Sequence, residues 1–201
     1  HLVARPDLAS FPLLDRNAPV LRSTRAADGN LQRWLTLNEI DPDVLAAFIA
    51  SEDHRFYEHH GVDARAVARA LVQNAGARRV RSGASTISMQ LARILRPSGR
   101  TWSGKLIQAL WAVRLERHLS KQQILEQYLN RAYYGRLAYG VEAAAQRYFR
   151  KPASKLELDE AALLAILPRA PTAYDPLRFP ERALRRREPL QNRGRLLHLL
   201  G

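Results

Sequence analysis

The spacing of apolar residues changes once along this chain. Residues 1–38 show no helical repeat: Pro6, Pro12 and Pro19 interrupt them, and Asp28-Gly29 is a turn pair between Val20–Arg25 and Leu31–Leu37. An extended arm or small β-hairpin is expected there. From Asp41 the repeat is helical. Asp41 can cap a helix with Pro42 at its first position, and Val44, Leu45, Phe48 and Ile49 form its apolar stripe. Asp63 can cap Ala64–Asn74, and Ser120 with Gln123 makes a capping box ahead of Ile124, Leu125, Tyr128 and Leu129. Helical patterns also cover 86–95, 103–118, 139–148, 157–167 and 180–199, with Lys151–Ser154 a connector and Pro168–Pro180 a proline-dense loop. The expected fold is mainly α with a short N-terminal β arm. It divides into an arm over 1–38, a helical domain over 39–180 and a C-terminal helix or linker over 181–201.

Composition narrows the class. With 201 residues, 46% hydrophobic and 25% charged, the chain can bury a core and is not disordered. The absence of cysteine excludes disulfides, thiolate metal sites and a cysteine nucleophile, and leaves the compartment open. No apolar run approaches the roughly 18 residues of a bilayer span. His1 opens no signal peptide, so the chain reads as a piece of something longer, with any membrane anchor before His1. Six histidines show no metal-ligand spacing.

Charge adds a direction. The formal net charge is +13, and between Asp63 and Glu116 there is no acid but ten cations: Arg65, Arg69, Arg78, Arg79, Arg81, Arg93, Arg96, Arg100, Lys105 and Arg114. Such a field suits phosphate or pyrophosphate, nucleic acid or acidic lipid, or else it is a solvated basic surface. No zinc finger, RNA-recognition motif or sustained basic amphipathic helix favours nucleic acid.

Three segments could carry chemistry. In Ser51–Gly61, Glu52 falls near the end of an apolar helix, where dipole and core tend to raise a carboxyl pKa toward the range a general base needs. The plainer reading is a solvated Glu-Asp pair closing a helix, with histidines as packing groups. In Ser82–Arg93, a glycine and then hydroxyl residues open a helix, either as an anion site or simply as a Ser/Thr cap; Gln90 and Arg93 share a face with Thr86. In Lys121–Gly135, Glu126 and Asn130 lie one turn apart, a spacing that by itself suits a satisfied polar spot in a scaffold.

In this order the segments resemble the family 51 peptidoglycan glycosyltransferases, the module of class A penicillin-binding proteins. The likeness runs from about Asp41 to Pro176. It is carried by Glu52-Asp53-x-x-Phe56-x-x-His59-x-Gly61, by Gly83-x-Ser85-Thr86-Ile87 with Gln90, and by Lys121-x-x-Ile124-Leu125-Glu126-x-Tyr128-Leu129-Asn130. Gly140-x-x-x-Ala144-Ala145-x-x-Tyr148-Phe149 and Glu160-Ala161 through Leu167-Pro168-x-Ala170-Pro171 complete it. Residues 85–93 most resemble the 1C branch.

The resemblance implies a lysozyme-like fold with a head and a membrane-facing jaw, the jaw over roughly 76–118. It implies polymerisation of lipid II into glycan strands at the periplasmic face of the bacterial inner membrane, with inversion and release of undecaprenyl pyrophosphate. Glu52 matches the general base. Ser85, Arg93 and Arg100 match positions holding the donor pyrophosphate, with a divalent metal (Mg2+ or Mn2+), and Gln90 lies in the same donor cleft. Asp53, Phe56, His59, Thr86, Lys105, Glu126 and Asn130 complete the implied substrate-binding set. Implied partners are lipid II, the growing strand, the cytoplasmic membrane and other cell-wall synthases, with no nucleic acid. Three positions depart from the family pattern. Gln108 stands where many relatives carry a second catalytic glutamate, Ile107 where they carry lysine, and Met89 where they carry glutamine. A peptidoglycan hydrolase, or a weakly active lipid II-binding module, is the alternative.

Overall fold

The computed structural model describes residues 12–14, 20–23, 33–75, 84–99 and 101–188. The Asp28-Gly29 turn, Gly83, Arg78, Arg79, Arg81, Arg100 and the expected helix beyond 188 lie outside the described residues.

The architecture is mainly helical. The helices are α1 (Pro42–Glu52), α2 (Ala64–Ala75), α3 (Ile87–Leu95), α4 (Trp102–His118), α5 (Lys121–Arg131), α6 (Val141–Phe149), α7 (Leu158–Ile166) and α8 (180–188). Their starts follow local chemistry. Asp41 accepts from the Asp43 amide at 2.8 Å ahead of α1, and Asp63 from the Ala66 amide at 3.0 Å ahead of α2. Burial works to raise the Asp63 carboxyl, but the Ala66 amide and the Arg55 guanidinium outweigh it and hold the group below its usual range. Thr86 and Thr101 cap α3 and α4 by accepting from Met89 and Gly104. The expected box at α5 forms, Ser120 N–H donating to Gln123 and Gln123 N–H to Ser120 Oγ.

One β feature differs from expectation. Val20–Ser23 pairs antiparallel with Pro12–Leu14, and the described residues 33–36 of the other expected segment are in no strand. Part of that second segment instead forms a single 3-10 turn at Leu37–Glu39, because Thr36 and Glu39 close a capping box of their own.

The chain forms two compact units, Glu52–Tyr128 in one and His1–Ser51 with Leu129–Gly201 in the other. In the second, Val44, Phe48, Tyr134, Val141, Leu164 and Leu167 are fully enclosed, and Phe48 meets Tyr134 edge-on at 5.9 Å. Asn130 works here as an anchor. Its Oδ1 accepts from the Leu35 amide and its Nδ2 donates to the Leu35 carbonyl, both at 2.8 Å, so a side chain pairs with extended backbone as a neighbouring strand would. Both ends of the amide of Asn130, a residue expected in the substrate-binding set, are thus engaged by Leu35. Asn130→Ala strands two polar groups of a residue only 2% exposed. The expected loss is about 1–3 kcal/mol per group, read as a lower urea midpoint.

In the Glu52–Tyr128 unit, α3 packs on α4. Gly61, at φ +93°, lies against α4 so closely that a Cβ would come within 2.7 Å of the Ala112 carbonyl carbon. No helix among the described residues is long and apolar enough to cross a membrane.

Candidate active site

Glu52 is the last residue of α1 and is half-buried. The Gln90 amide on α3 donates to its Oε2 at 2.7 Å, while Gln90 Oε1 accepts from the Tyr128 hydroxyl of α5 at 3.2 Å. Three helices thus meet through one carboxamide. Gln90 and Tyr128 are 8% and 1% exposed, so both bonds lie away from bulk water.

The next residue points elsewhere. Asp53 is buried, pairs with His59 Nε2 at 2.9 Å and accepts from the Ile87 amide at 3.0 Å. Thr86 Oγ1 takes the Met89 amide and itself donates to the Gly61 carbonyl at 2.6 Å. Of the two readings open for the start of α3, the hydroxyl cap forms through Thr86, and the Asp53 carboxylate takes the Ile87 amide beside it. Thr86 and Asp53 bind α3 to the 53–61 loop, and neither has its side chain open to solvent.

Beneath them lies a buried polar cluster that sequence reasoning missed. Glu116 of α4, its side chain 4% exposed, accepts from Ser88 Oγ and pairs with Lys121 Nζ at 2.8 Å. Lys121 also donates to the His59 carbonyl at 2.6 Å and sits over the Phe56 ring, 4.5 Å from its centroid. His59 Nδ1 lies 4.0 Å from Glu116 Oε1. Phe56 and His59 are enclosed, so they shape the loop carrying Glu52 from within. The available signals were Lys121, already within a family motif, and Glu116 as the first acid after the long basic stretch.

The basic stretch resolves into groups with different surroundings. Arg96 and Arg114 stack on Trp111 at 4.6 and 5.7 Å, which gives those two cations a packing role. Arg93, one turn beyond Gln90, and Lys105 are exposed, and Ser85 is half-exposed. Arg100 lies outside the described residues. Gln108 donates to Ser98 Oγ at 2.8 Å, and that hydroxyl donates to the Gly104 carbonyl at 3.3 Å. The amide expected at the second catalytic position thus clips the 97–99 segment to α4. Glu126 is half-buried on α5, one turn before Asn130. Among the described residues no three acidic or imidazole side chains converge as metal ligands.

Comparison with known proteins gives this arrangement a family. The transglycosylase family model matches residues 19–193. Penicillin-binding protein 1A of Aquifex aeolicus is 48% identical over 77% of this chain and 21% of its own length. Penicillin-binding protein 1A of Escherichia coli is 42% identical over 94% of this chain and 23% of its own. The chain therefore spans less than a quarter of the length of these curated relatives. The crystal structure of penicillin-binding protein 1A from Haemophilus influenzae aligns over 90% of this chain and 18% of that one, at TM-score 0.47 and 22% identity. These relatives carry the name 1A, so the likeness to the 1C branch rests on residues 85–93 alone. With the model spanning most of its length, the chain belongs to the transglycosylase family, as a glycosyltransferase module of the kind found in class A penicillin-binding proteins.

Proposed function

We propose that the chain is a peptidoglycan glycosyltransferase that joins lipid II units into glycan strands at the outer face of the bacterial cytoplasmic membrane. Glu52 accepts the proton of the acceptor 4-hydroxyl as that oxygen attacks the anomeric carbon of the donor. The new glycosidic bond forms on the face opposite the leaving group. The bond to pyrophosphate breaks with its electron pair, and undecaprenyl pyrophosphate departs.

The observation that carries this reading is the setting of Glu52: a carboxylate at a helix end, half out of water, with one oxygen held by a buried amide. Arg93 follows Gln90 by one turn of α3 and supplies positive charge suited to the developing diphosphate. Arginine adds a bidentate fork where many relatives have lysine. Ser85 and Arg100 are proposed for the same group on family grounds. A lipid-borne donor also suits α4, whose Trp102, Leu106 and Leu110 lie one turn apart and are 85%, 64% and 64% exposed. An apolar stripe beside cations is the pattern of a surface that rests in a lipid headgroup layer. The growing strand and the membrane are thus proposed partners.

A divalent cation here would take its ligands from the diphosphate oxygens, since the described side chains form no acidic or imidazole set for it. The proposed steps do not depend on it. Gln108 is neutral and tied to Ser98, so Gln108→Glu is expected to leave synthesis unchanged or raise it modestly, measured as initial rate.

The test is incubation with labelled lipid II in detergent, with and without magnesium, followed by gel separation. Glycan strands blocked by moenomycin support the proposal. Muropeptides released from sacculi without consumption of lipid II would point to a hydrolase.

A further inference from the structure

The two ends of the Gln90 amide meet chemically different partners. An ionised carboxylate only accepts hydrogen bonds, so Nε2 must face Glu52; a carboxamide turned by half a rotation would set Oε1 against the carboxylate oxygen. Gln90 has three side-chain torsions, and nothing in the Glu52 contact by itself holds the far end of the amide. Tyr128 does. Its ring is 1% exposed, and its hydroxyl donates to Gln90 Oε1. Held at Oε1, the amide keeps its N–H aimed at Glu52.

We propose that Tyr128 is a positioning residue for Glu52, acting through Gln90: the carboxylate selects which end of the amide faces it, and the Tyr128 hydroxyl holds that amide in place at its far end. The inference rests on the reading of Glu52 as the base. The hydroxyl touches no reacting atom; its effect is to favour the ionised, proton-accepting form of Glu52 and to fix which oxygen is held. The charged groups on the same elements are Asp53 beside Glu52, Arg93 one turn beyond Gln90, and Glu126 two residues before Tyr128, and none is altered in the test.

The test is a double-mutant cycle with Tyr128→Phe, Gln90→Leu and the pair, assayed by strand synthesis from lipid II. Tyr128→Phe is expected to lower kcat about tenfold, the worth of one buried hydrogen bond, with KM for lipid II within about twofold. In the Gln90→Leu background the same change should cost nothing further. The Glu52 carboxyl carbon, followed by 13C NMR in the full chain, should titrate at higher pH in both single variants than in the wild type. Equal losses in both backgrounds, or an unmoved titration, would overturn the proposal by reducing Tyr128 to packing. Retained synthesis in Glu52→Gln would instead remove the base reading. The NMR titration would still report whether Tyr128 acts on Glu52.

Discussion

Glu52→Gln is expected to yield no glycan strands while folding as the wild type does. Glutamine has the same shape and keeps an oxygen that can accept from Gln90 Nε2, so the contact among α1, α3 and α5 survives. Its amide has negligible basicity near neutral pH and cannot take the acceptor proton. Removing a positioned base typically costs about 10²–10⁴-fold, which places the variant below detection in a gel assay. Circular dichroism and urea unfolding should match the parent. Loss of activity together with loss of structure would mean that Glu52 is a scaffold residue.

The second large effect is on stability. Lys121→Met is expected to destabilise the Glu52–Tyr128 unit by about 3–5 kcal/mol, the usual result of removing one partner from a buried ion pair. Lys121 neutralises Glu116, holds the His59 carbonyl and covers the Phe56 ring. Methionine keeps much of the stem's packing but leaves Glu116, its side chain 4% exposed, without its cation. Adding Glu116→Gln removes the stranded charge and should recover a large part of the loss. Urea unfolding of both variants measures this. A single variant as stable as the wild type would show that the cluster adds nothing to the fold.

The helices were legible because their signals are local. Asp41-Pro42, Asp63, Thr86 and the Ser120–Gln123 box each act within one turn, and each forms the cap that the sequence predicts. Pairings between distant residues left no such signal. Asp28-Gly29 is a turn signal in the sequence, and such a signal does not select a partner for Val20–Ser23, which pairs with Pro12–Leu14. Asn130 follows Glu126 by one turn, yet its partner Leu35 lies 95 residues earlier. The hydroxyl-rich start of α3 reads as an anion site or as a cap, and only the folded chain shows the Thr86 cap with Asp53 on the Ile87 amide beside it. Glu52 and Gln90 are legible from their motifs, but a separation of 38 positions hides a hydrogen bond that only the fold creates. Tyr128 reads as one more apolar position on α5, since periodicity does not distinguish a core ring from one whose hydroxyl is in use.

The central claim is that a carboxylate drives sugar transfer with expulsion of a diphosphate, and counting products tests it most directly. Doubly labelled lipid II, supplied to the wild-type chain and to Glu52→Gln, should show undecaprenyl pyrophosphate released in step with each disaccharide joined by the first and neither product from the second. Pyrophosphate lipid released without strand growth, or strands made equally well by the variant, would contradict it.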